Sequence, residues 1–178
     1  NWSNLNNLSL NQATSELNKI DERFQNLKNI QNVFLNCFFN SPNTENLFIK
    51  LTSDEKIDFS RYKYFFASYV ANSKKIGEAK KIVKSAIQLY PRNLLLNQYK
   101  LDLDKNKNIS VFDCKKEAHV TAEILYITAN ALSSQSIYAL SNFYLNLAKF
   151  LNDDFHSYDT LLAENFYKIG NYTKAKKI

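Results

Sequence analysis

An internal repeat with a period of 34 residues most constrains how this chain folds. Residues 122–155 align without a gap on the segment that begins at residue 156, so that Ala129 lies over Ala163. Residues 60–93 fit the same register, with small residues opposite small ones and bulky residues opposite bulky ones. Small residues at fixed points allow two helices to cross closely, and a period of this length is typical of stacked helix pairs. The repeat therefore predicts antiparallel helices packed in a row.

The composition agrees with an all-α fold. The chain contains only 2 glycines and 2 prolines among 178 residues, which is too few breakers for many short strands and turns. The repeat register predicts one helix pair at 60–73 and 76–90, and a second at 122–134 and 137–151. The repeated positions expected in the core of these pairs are Phe66, Ala79, Ala86, Ala129, Leu132, Leu145 and Ala148.

The two glycines and one asparagine mark expected helix ends. Gly170 falls between the two helices of the last unit, where a residue without a Cβ atom ends one helix easily. Gly77 is expected in the same inter-helix region of the unit at 60–93, three positions later in register. Asn93 is a natural N-cap for a short helix over 94–103.

The repeat register divides the chain into segments. The first 59 residues show helical periodicity without a clear register, although Cys37 precedes Pro42 by five residues as Ala86 precedes Pro91, which suggests a divergent repeat. The predicted organisation is a divergent N-terminal helical segment 1–59, a repeat 60–93, a connector of one helix and a polar loop 94–121, a repeat 122–155 and a partial repeat 156–178.

The order of residue types within the units resembles the tetratricopeptide repeat, whose 34-residue unit reads W-x2-L-G-x2-Y, then A-x3-F, then P. The matching residues are Phe66, Ala67, Val70, Ala79, Val83 and Pro91 in the first unit, Leu125, Thr128, Ala129, Leu132, Ser141 and Leu145 in the second, and Leu162, Ala163, Phe166, Gly170, Asn171, Tyr172 and Ala175 in the last. The units lack the tryptophan, have alanine for the first glycine, and have proline only once. The whole chain also resembles, more loosely, large bacterial proteins of this family.

The resemblance implies a right-handed α-solenoid, a superhelix of stacked pairs whose first helices line a concave groove. It implies a non-enzymatic scaffold that binds a peptide or protein segment in that groove. The positions that the family exposes to the groove are, in this chain, Arg61, Tyr64, Ser68, Asn72, Glu123, Tyr126, Asn130, Ser133, Thr160, Glu164, Tyr167 and Lys168. For Tyr64, Tyr126 and Tyr167 an equally good interpretation is packing against the neighbouring repeat.

The cysteines predict no special chemistry. Cys37 and Cys114 are far apart in sequence and show no CxxC spacing, so they indicate neither a disulfide framework nor a zinc module. Free cysteine behaves as a small, buried apolar residue. Two buried thiols are therefore the expectation.

The net charge of +6 is concentrated in the middle of the chain, where residues 61–120 contain 13 basic and 5 acidic groups. Such an excess attracts phosphates. The alternative function is therefore an RNA-binding helical repeat that uses the basic segment 61–116, with Arg61, Tyr62, Lys63 and Tyr64 as contacts. The lysines also suit the solvated face of an amphipathic helix, and the last repeats carry no net charge.

Enzymatic motifs are absent from the sequence. It contains no GxGxxG, GxxxxGK[ST], HExxH or GxSxG pattern. The acidic segment 153–159 offers three aspartates and a histidine for a cation, but these residues are also typical of solvated helix starts. Cys114 and His119 lack a third group to orient them as a nucleophile pair. No enzyme activity, cofactor or metal is predicted.

The sequence predicts a soluble chain. It has no apolar run of about 18 residues, and its opening lacks a secretory signal. Because it starts at Asn1 without methionine, we expect a piece of a longer protein that continues with more repeats, located in the cytoplasm or the periplasm. The expected partner is a protein or peptide, and the incompletely covered last repeat offers a surface for a homo-oligomer.

Overall fold

The computed structural model describes residues 7–54, 57–107 and 109–178, and these ranges are all-α with no strand. Consecutive helices pack as antiparallel pairs, as the repeat predicts. The described residues form ten helices and one 3-10 turn: α1 Leu10–Asn18, the turn Glu22–Phe24, α2 Gln25–Phe38, α3 Thr44–Leu51, α4 Ser60–Asn72, α5 Ile76–Leu89, α6 Leu94–Asp104, α7 Glu117–Ser134, α8 Tyr138–Leu151, α9 Ser157–Lys168 and α10 Tyr172–Lys177.

The helices form two compact units. The first contains α1–α6 and extends to Lys115, and the second is Lys116–Ile178 with α7–α10. In the first unit α2 packs on α3, α4 on α5, and α5 and α4 on α6. In the second, α8 packs on both α7 and α9, and α9 on α10. The change from one unit to the next falls inside the segment 94–121, which the sequence marks as a connector.

The predicted helix pairs are confirmed. Helices α4 and α5 coincide with the first pair within one residue at each end, and α7 and α8 match the second pair, except that α7 begins five residues earlier than predicted, at Glu117. An acidic residue in the first turn of a helix interacts favourably with the helix dipole, which suits this earlier start. Asn93 caps α6 as predicted, since its Oδ1 accepts a hydrogen bond from the Leu96 N–H at 3.0 Å.

The predicted core is buried with one correction. Leu132, near the end of α7, is only half-buried. The small residues do mark the close crossings: the Ser141 hydroxyl on α8 donates a hydrogen bond of 2.8 Å to the carbonyl of Ala129 on α7. The buried residues are Phe66, Ala79, Ala86, Ala129, Leu145 and Ala148.

One turn geometry ends five of the described helices. Its central residue has a left-handed backbone, and the next N–H donates to the carbonyl five residues earlier at 2.8–3.2 Å, which is the hydrogen bond of a Schellman motif. The left-handed residues follow α2, α4, α6, α7 and α9 and are Asn40 with φ 53°, Lys74 with φ 64°, Asn106 with φ 57°, Ser136 with φ 63° and Gly170 with φ 77°. The first two and the last two are each separated by the 34 residues of the sequence repeat.

The turns confirm one glycine prediction and correct the other. Gly170 adopts the left-handed conformation between α9 and α10, as predicted. Gly77 is instead the second residue of α5, and Lys74 has the left-handed backbone in that turn. Asparagine, serine and even lysine tolerate this conformation at a modest energetic cost, so glycine alone did not identify the turns.

The N-terminal segment contains a helix pair, but in another register than Pro42 suggested. The left-handed Asn40 is equivalent to Lys74, which makes Cys37 equivalent to Ala71 in the first helix of a pair. The proposed equivalence of Cys37 with Ala86, in a second helix, is wrong. A single proline spacing did not distinguish the ends of first and second helices.

The two glycines give a matched test of this geometry. A Cβ atom added at Gly77 or at Gly170 meets no atom within 4 Å, so only the backbone distinguishes them. We expect Gly170→Ala to lower the free energy of unfolding by about 1 kcal/mol, because alanine is strained at positive φ. We expect Gly77→Ala to raise it by about 0.5 kcal/mol, because alanine favours the helix. Urea unfolding of both variants measures these changes, and equal signs would contradict the assigned turn.

Candidate functional site

A cleft of about 600 Å³ opens where α2 and α4 end, in the first unit. We call it the disulfide cleft because a cystine forms part of its wall. The turn after α2, the last two turns of α4 and the loop before α7 surround it. The lining residues are Cys37, Asn40, Ser41, Pro42, Phe65, Tyr69, Asn72, Ser73, Phe112, Asp113, Cys114 and Lys115.

Cys37 and Cys114 form a disulfide across 77 residues of sequence, with their Cα atoms 5.9 Å apart. The prediction of free thiols is therefore wrong, although both residues are buried as expected. The loop after α6 folds back onto the last turn of α2 and brings the two cysteines together. Sequence spacing carries no information about such a contact.

The loop also inserts an aromatic side chain that forms the apolar floor of the cleft. The ring of Phe112 stacks on Phe65 of α4 with 3.9 Å between centroids and an interplanar angle of 19°. It also contacts Phe34 of α2, with centroids 5.2 Å apart. All three rings are buried. The loop after α6 thus packs against both α2 and α4.

Two side chains of α4 attach this loop. The Val111 N–H donates to the Tyr64 hydroxyl at 3.4 Å, and the hydroxyls of Ser68 and Ser110 are 2.6 Å apart. The Ser110 hydroxyl also donates to the Phe112 carbonyl at 2.6 Å. Burial raises the pKa of Tyr64 to about 12, so Tyr64 remains a neutral phenol at physiological pH.

Four predicted groove residues belong to α4, and the loop covers only some of them. Tyr64 and Ser68 are buried and hold the loop, so they are not accessible groove residues. The Arg61 guanidinium lies over the Phe65 ring, 5.4 Å from its centroid. Asn72 is exposed and lines the disulfide cleft. The repeat register did not reveal that a loop covers this face of α4.

The four predicted groove residues of α7 also have different environments. Glu123 and Ser133 are buried, whereas Asn130 is exposed. Tyr126 is half-buried and packs against Tyr158 of α9, with centroids 5.7 Å apart. Tyr64 similarly packs edge-on against Tyr99 of α6 at 4.9 Å. Both contacts agree with the interpretation that these tyrosines pack against the following helices.

The four predicted residues on α9 are exposed. Lys168 pairs with Glu164 at 2.8 Å, and this hydrogen bond raises the pKa of the lysine. Tyr167 packs edge-on against Tyr172 of α10, with centroids 5.2 Å apart. The Thr160 hydroxyl lies 3.5 Å from the His156 carbonyl. None of these four lines the disulfide cleft.

Ser133 belongs to a buried polar network that joins α7, α8 and α9. Its hydroxyl donates to Oδ1 of Asn165 at 2.6 Å. The Asn165 amide nitrogen donates to the Ser141 hydroxyl and to Oδ1 of Asn142, both at 2.8 Å. Asn165 and Ser141 are fully buried, and each polar atom of the Asn165 amide has a partner. A satisfied buried network of this kind fixes the register of three helices.

The rim of the disulfide cleft is polar. Asn40 and Ser41 lie on one side, and Asn72 and Ser73 on another, all partly or fully exposed. Lys115 completes the rim, and its N–H donates to Oδ1 of Asp113 at 2.9 Å. Amides and hydroxyls around an apolar floor suit hydrogen bonding to a peptide-like ligand. The disulfide holds both sulfurs, so neither serves as a thiolate nucleophile.

The described residues contain no group of three or more histidine, cysteine or acidic side chains arranged to hold a metal. In the acidic segment 153–159, the Asp159 carboxylate accepts a hydrogen bond of 2.6 Å from Lys149 and lies 3.2 Å from Nδ1 of His156. This carboxylate therefore joins α8 to α9 through an ion pair.

Across the same described residues, no helix has both the length and the apolar character needed to cross a membrane.

Comparison with known proteins finds no similar protein: no family model, no curated sequence and no solved structure matches the chain. The geometry of the chain itself is therefore the basis for a functional proposal.

The sequence did not suggest several residues that line the cleft, among them Asn40, Tyr69, Ser73 and Lys115. A signal for the loop was present in "SVFDC", an apolar and cysteine-containing stretch within an otherwise polar connector.

The disulfide should contribute strongly to stability. It closes a loop of 77 residues, and removal of such a crosslink typically lowers the free energy of unfolding by about 2–4 kcal/mol. We expect reduction with dithiothreitol to lower the urea midpoint accordingly. The double variant Cys37→Ala/Cys114→Ala is the control, since reductant should leave its midpoint unchanged. An oxidised protein whose midpoint does not respond to reductant would contradict the bond.

The buried network gives a second stability test. Asn165→Ala removes the partners of two hydroxyls and one amide at fully buried positions, so we expect a loss of about 2–3 kcal/mol in unfolding free energy. The control is Asn130→Ala, because Asn130 is an exposed asparagine on α7, and its change should stay within about 0.5 kcal/mol. Thermal unfolding followed by circular dichroism compares the two, and equal effects would argue against the network.

Proposed function

We propose that this chain is a non-enzymatic interaction scaffold of the tetratricopeptide-repeat type, which binds an extended peptide or protein segment. In this proposal the helix pairs belong to a right-handed superhelix. The supporting observation for the repeat is the recurrence of one left-handed turn after α2, α4, α6, α7 and α9. The supporting observation for binding is the disulfide cleft, in which a polar rim surrounds an aromatic floor.

The cleft has the properties of a preorganised binding surface. Its floor is fixed by the disulfide and by the stack of Phe65 on Phe112, so little side-chain entropy is lost when a ligand binds. Tyr69 lies at the wall, half-buried and packed against Phe48 at 5.6 Å. A tyrosine held in this way offers a rigid amphipathic surface of the type enriched at binding hot spots.

The rim matches the hydrogen-bonding groups of an extended backbone. The Asn72 side chain contains amide donor and acceptor groups, and the Ser41 and Ser73 hydroxyl oxygens are further acceptors, with the Ser73 hydroxyl itself donating to the Tyr69 carbonyl at 3.1 Å. Lys115 adds a positive charge at one edge and Asp113 a negative one. A peptide that carries an apolar side chain for the floor therefore fits this cleft better than a polyanion.

The alternative of RNA binding has less support. Tyr62 and Tyr64, the aromatic residues proposed to stack on bases, are both buried. The Lys63 ammonium donates to the Thr52 carbonyl at 2.9 Å, and Lys75 is paired with Glu45 at 3.0 Å. These two lysines of the basic segment therefore bind groups of the protein itself.

We also propose that the protein works in an oxidising compartment, such as the periplasm or outside the cell. The observation behind this proposal is the disulfide between Cys37 and Cys114, because structural disulfides persist where thiols are not kept reduced.

The peptide proposal is tested by selecting binders from a phage-displayed library of random peptides against the oxidised chain. Selected peptides are then measured by fluorescence anisotropy. We expect Asn72→Ala to weaken binding about fivefold or more, because a hot-spot contact contributes about 1 kcal/mol or more. Asn26→Ala is the matched control, since Asn26 is an exposed asparagine on α2 that neither lines the cleft nor belongs to the predicted groove.

Two outcomes would contradict the proposal. One is a set of selected peptides whose affinity Asn72→Ala and Lys115→Ala leave unchanged. The other is a labelled mixed-sequence RNA that binds at physiological salt more tightly than any selected peptide, which would favour the alternative. Unfolding curves of both variants establish that any loss of binding occurs in a folded protein.

A further inference from the structure

Helix α8 carries an exposed apolar stripe on the side away from its packing partners. The buried residues of α8 include Ser141, Leu145 and Ala148, and they face the helices α7 and α9. At helical spacing on the opposite side, the exposed fractions are 44% for Leu140, 57% for Phe143, 38% for Leu147 and 85% for Phe150. We call these four residues the α8 stripe. A surface helix normally has one apolar side, which faces the core, and a polar side toward water. The outer side of α8 is apolar as well, so its exposure to water is unfavourable.

The stripe is large for a surface that faces water. With about 200 Å² for a fully exposed aromatic side chain, the two phenyl groups present roughly 280 Å², and the leucines bring the total to roughly 400 Å². Contiguous apolar patches of this size mark interaction sites. The residues beside the stripe on α8 are also uncharged. Lys149 is the only charged residue of this helix, and its ammonium group pairs with Asp159 at 2.6 Å.

The order of the four residues suggests which partner fits. Leu140 and Phe150 are equally distant from Leu145, and so are Phe143 and Leu147. If a second copy of α8 packs antiparallel on the stripe, with the two-fold axis crossing the helix at the level of residue 145, each phenylalanine lies beside a leucine of the other copy. Large and small side chains then alternate along the contact, which is the self-complementarity that an isologous dimer requires.

We propose that the α8 stripe is a homodimer interface, with Leu140 beside Phe150 and Phe143 beside Leu147 of the second copy. Two stripes bury roughly 800 Å², and the flanking residues Ala139, Tyr144 and Asn146 extend the contact toward the lower limit of about 1,000 Å² for a biological interface, which fits a weak dimer. No like charges meet in it, although the chain carries a net charge of +6. The interface is separate from the disulfide cleft, so it adds a second copy to the proposed scaffold.

Sedimentation velocity of the oxidised full chain over a concentration series tests this interface. We expect the mass to rise from 20.7 kDa toward twice that value, with a dissociation constant on the order of micromolar. Phe150→Glu should raise this constant at least tenfold, because it places a charge in an apolar contact. Leu94→Glu is the matched control, since Leu94 is 84% exposed on α6 and lies outside the stripe, and it should leave the constant unchanged.

A charge pair tests the antiparallel register. Leu140→Lys and Phe150→Glu each weaken their own homodimer, but in a mixture the new lysine of one chain lies beside the new glutamate of the other. We expect the mixed heterodimer to form at least tenfold more tightly than either variant homodimer. A parallel pair or another register gives no such recovery and overturns the proposed geometry.

Three other results overturn the interface. The first is a mass that stays at 20.7 kDa at every concentration, which leaves the stripe to a different partner. The second is a dimer that Phe143→Glu and Phe150→Glu do not weaken. The third is an unfolded Phe150→Glu chain by circular dichroism, which would place this residue in the interior of the folded protein.

Discussion

The left-handed residue after each first helix is the constraint on which the helix pairs depend. After α4, α7 and α9 the chain reverses within three residues. After all five helices the N–H that follows the left-handed residue donates to the carbonyl five residues earlier, so that unpaired carbonyls at the helix end gain a partner. Because the same geometry follows α2, α4, α6, α7 and α9, each of these helices ends in the same way. Small residues such as Ala129 and Ser141 then allow the paired helices to approach closely.

After α6 the turn is not followed by a second helix, and the candidate site lies at this departure. After α6 the turn at Asn106 is followed by a loop instead of a helix, and Phe112 of this loop stacks on Phe65 of α4. The loop is fixed covalently by the disulfide and non-covalently by Tyr64 and Ser68. A departure from the repeat therefore creates a concave cleft with a polar rim.

In the second unit, buried polar groups hold the helices together. Asn165 connects three helices through hydrogen bonds to Ser133, Ser141 and Asn142, whereas the first unit relies on stacked aromatic rings and a disulfide. A buried amide requires every partner in place, so it specifies the arrangement of α7, α8 and α9 more strictly than apolar contacts do. This internal polarity also leaves much of the apolar surface of α8 on its outer side, where the stripe lies.

The sequence by itself determined the helix pairs α4/α5 and α7/α8, the helices α6 and α9 and the turn at Gly170, because periodicity, helix propensity and the 34-residue repeat are local properties of the chain. It also determined that Asn93 caps α6. Only the tertiary structure decided that Cys37 meets Cys114, that the loop buries Tyr64 and Ser68, and that Asn72 remains at a cleft. These contacts join residues separated by 40 or more positions, as Ser68 and Ser110 do, and no short-range pattern encodes them. In sequence the segment after α6 is a polar connector, and only the structure shows that it packs against α4.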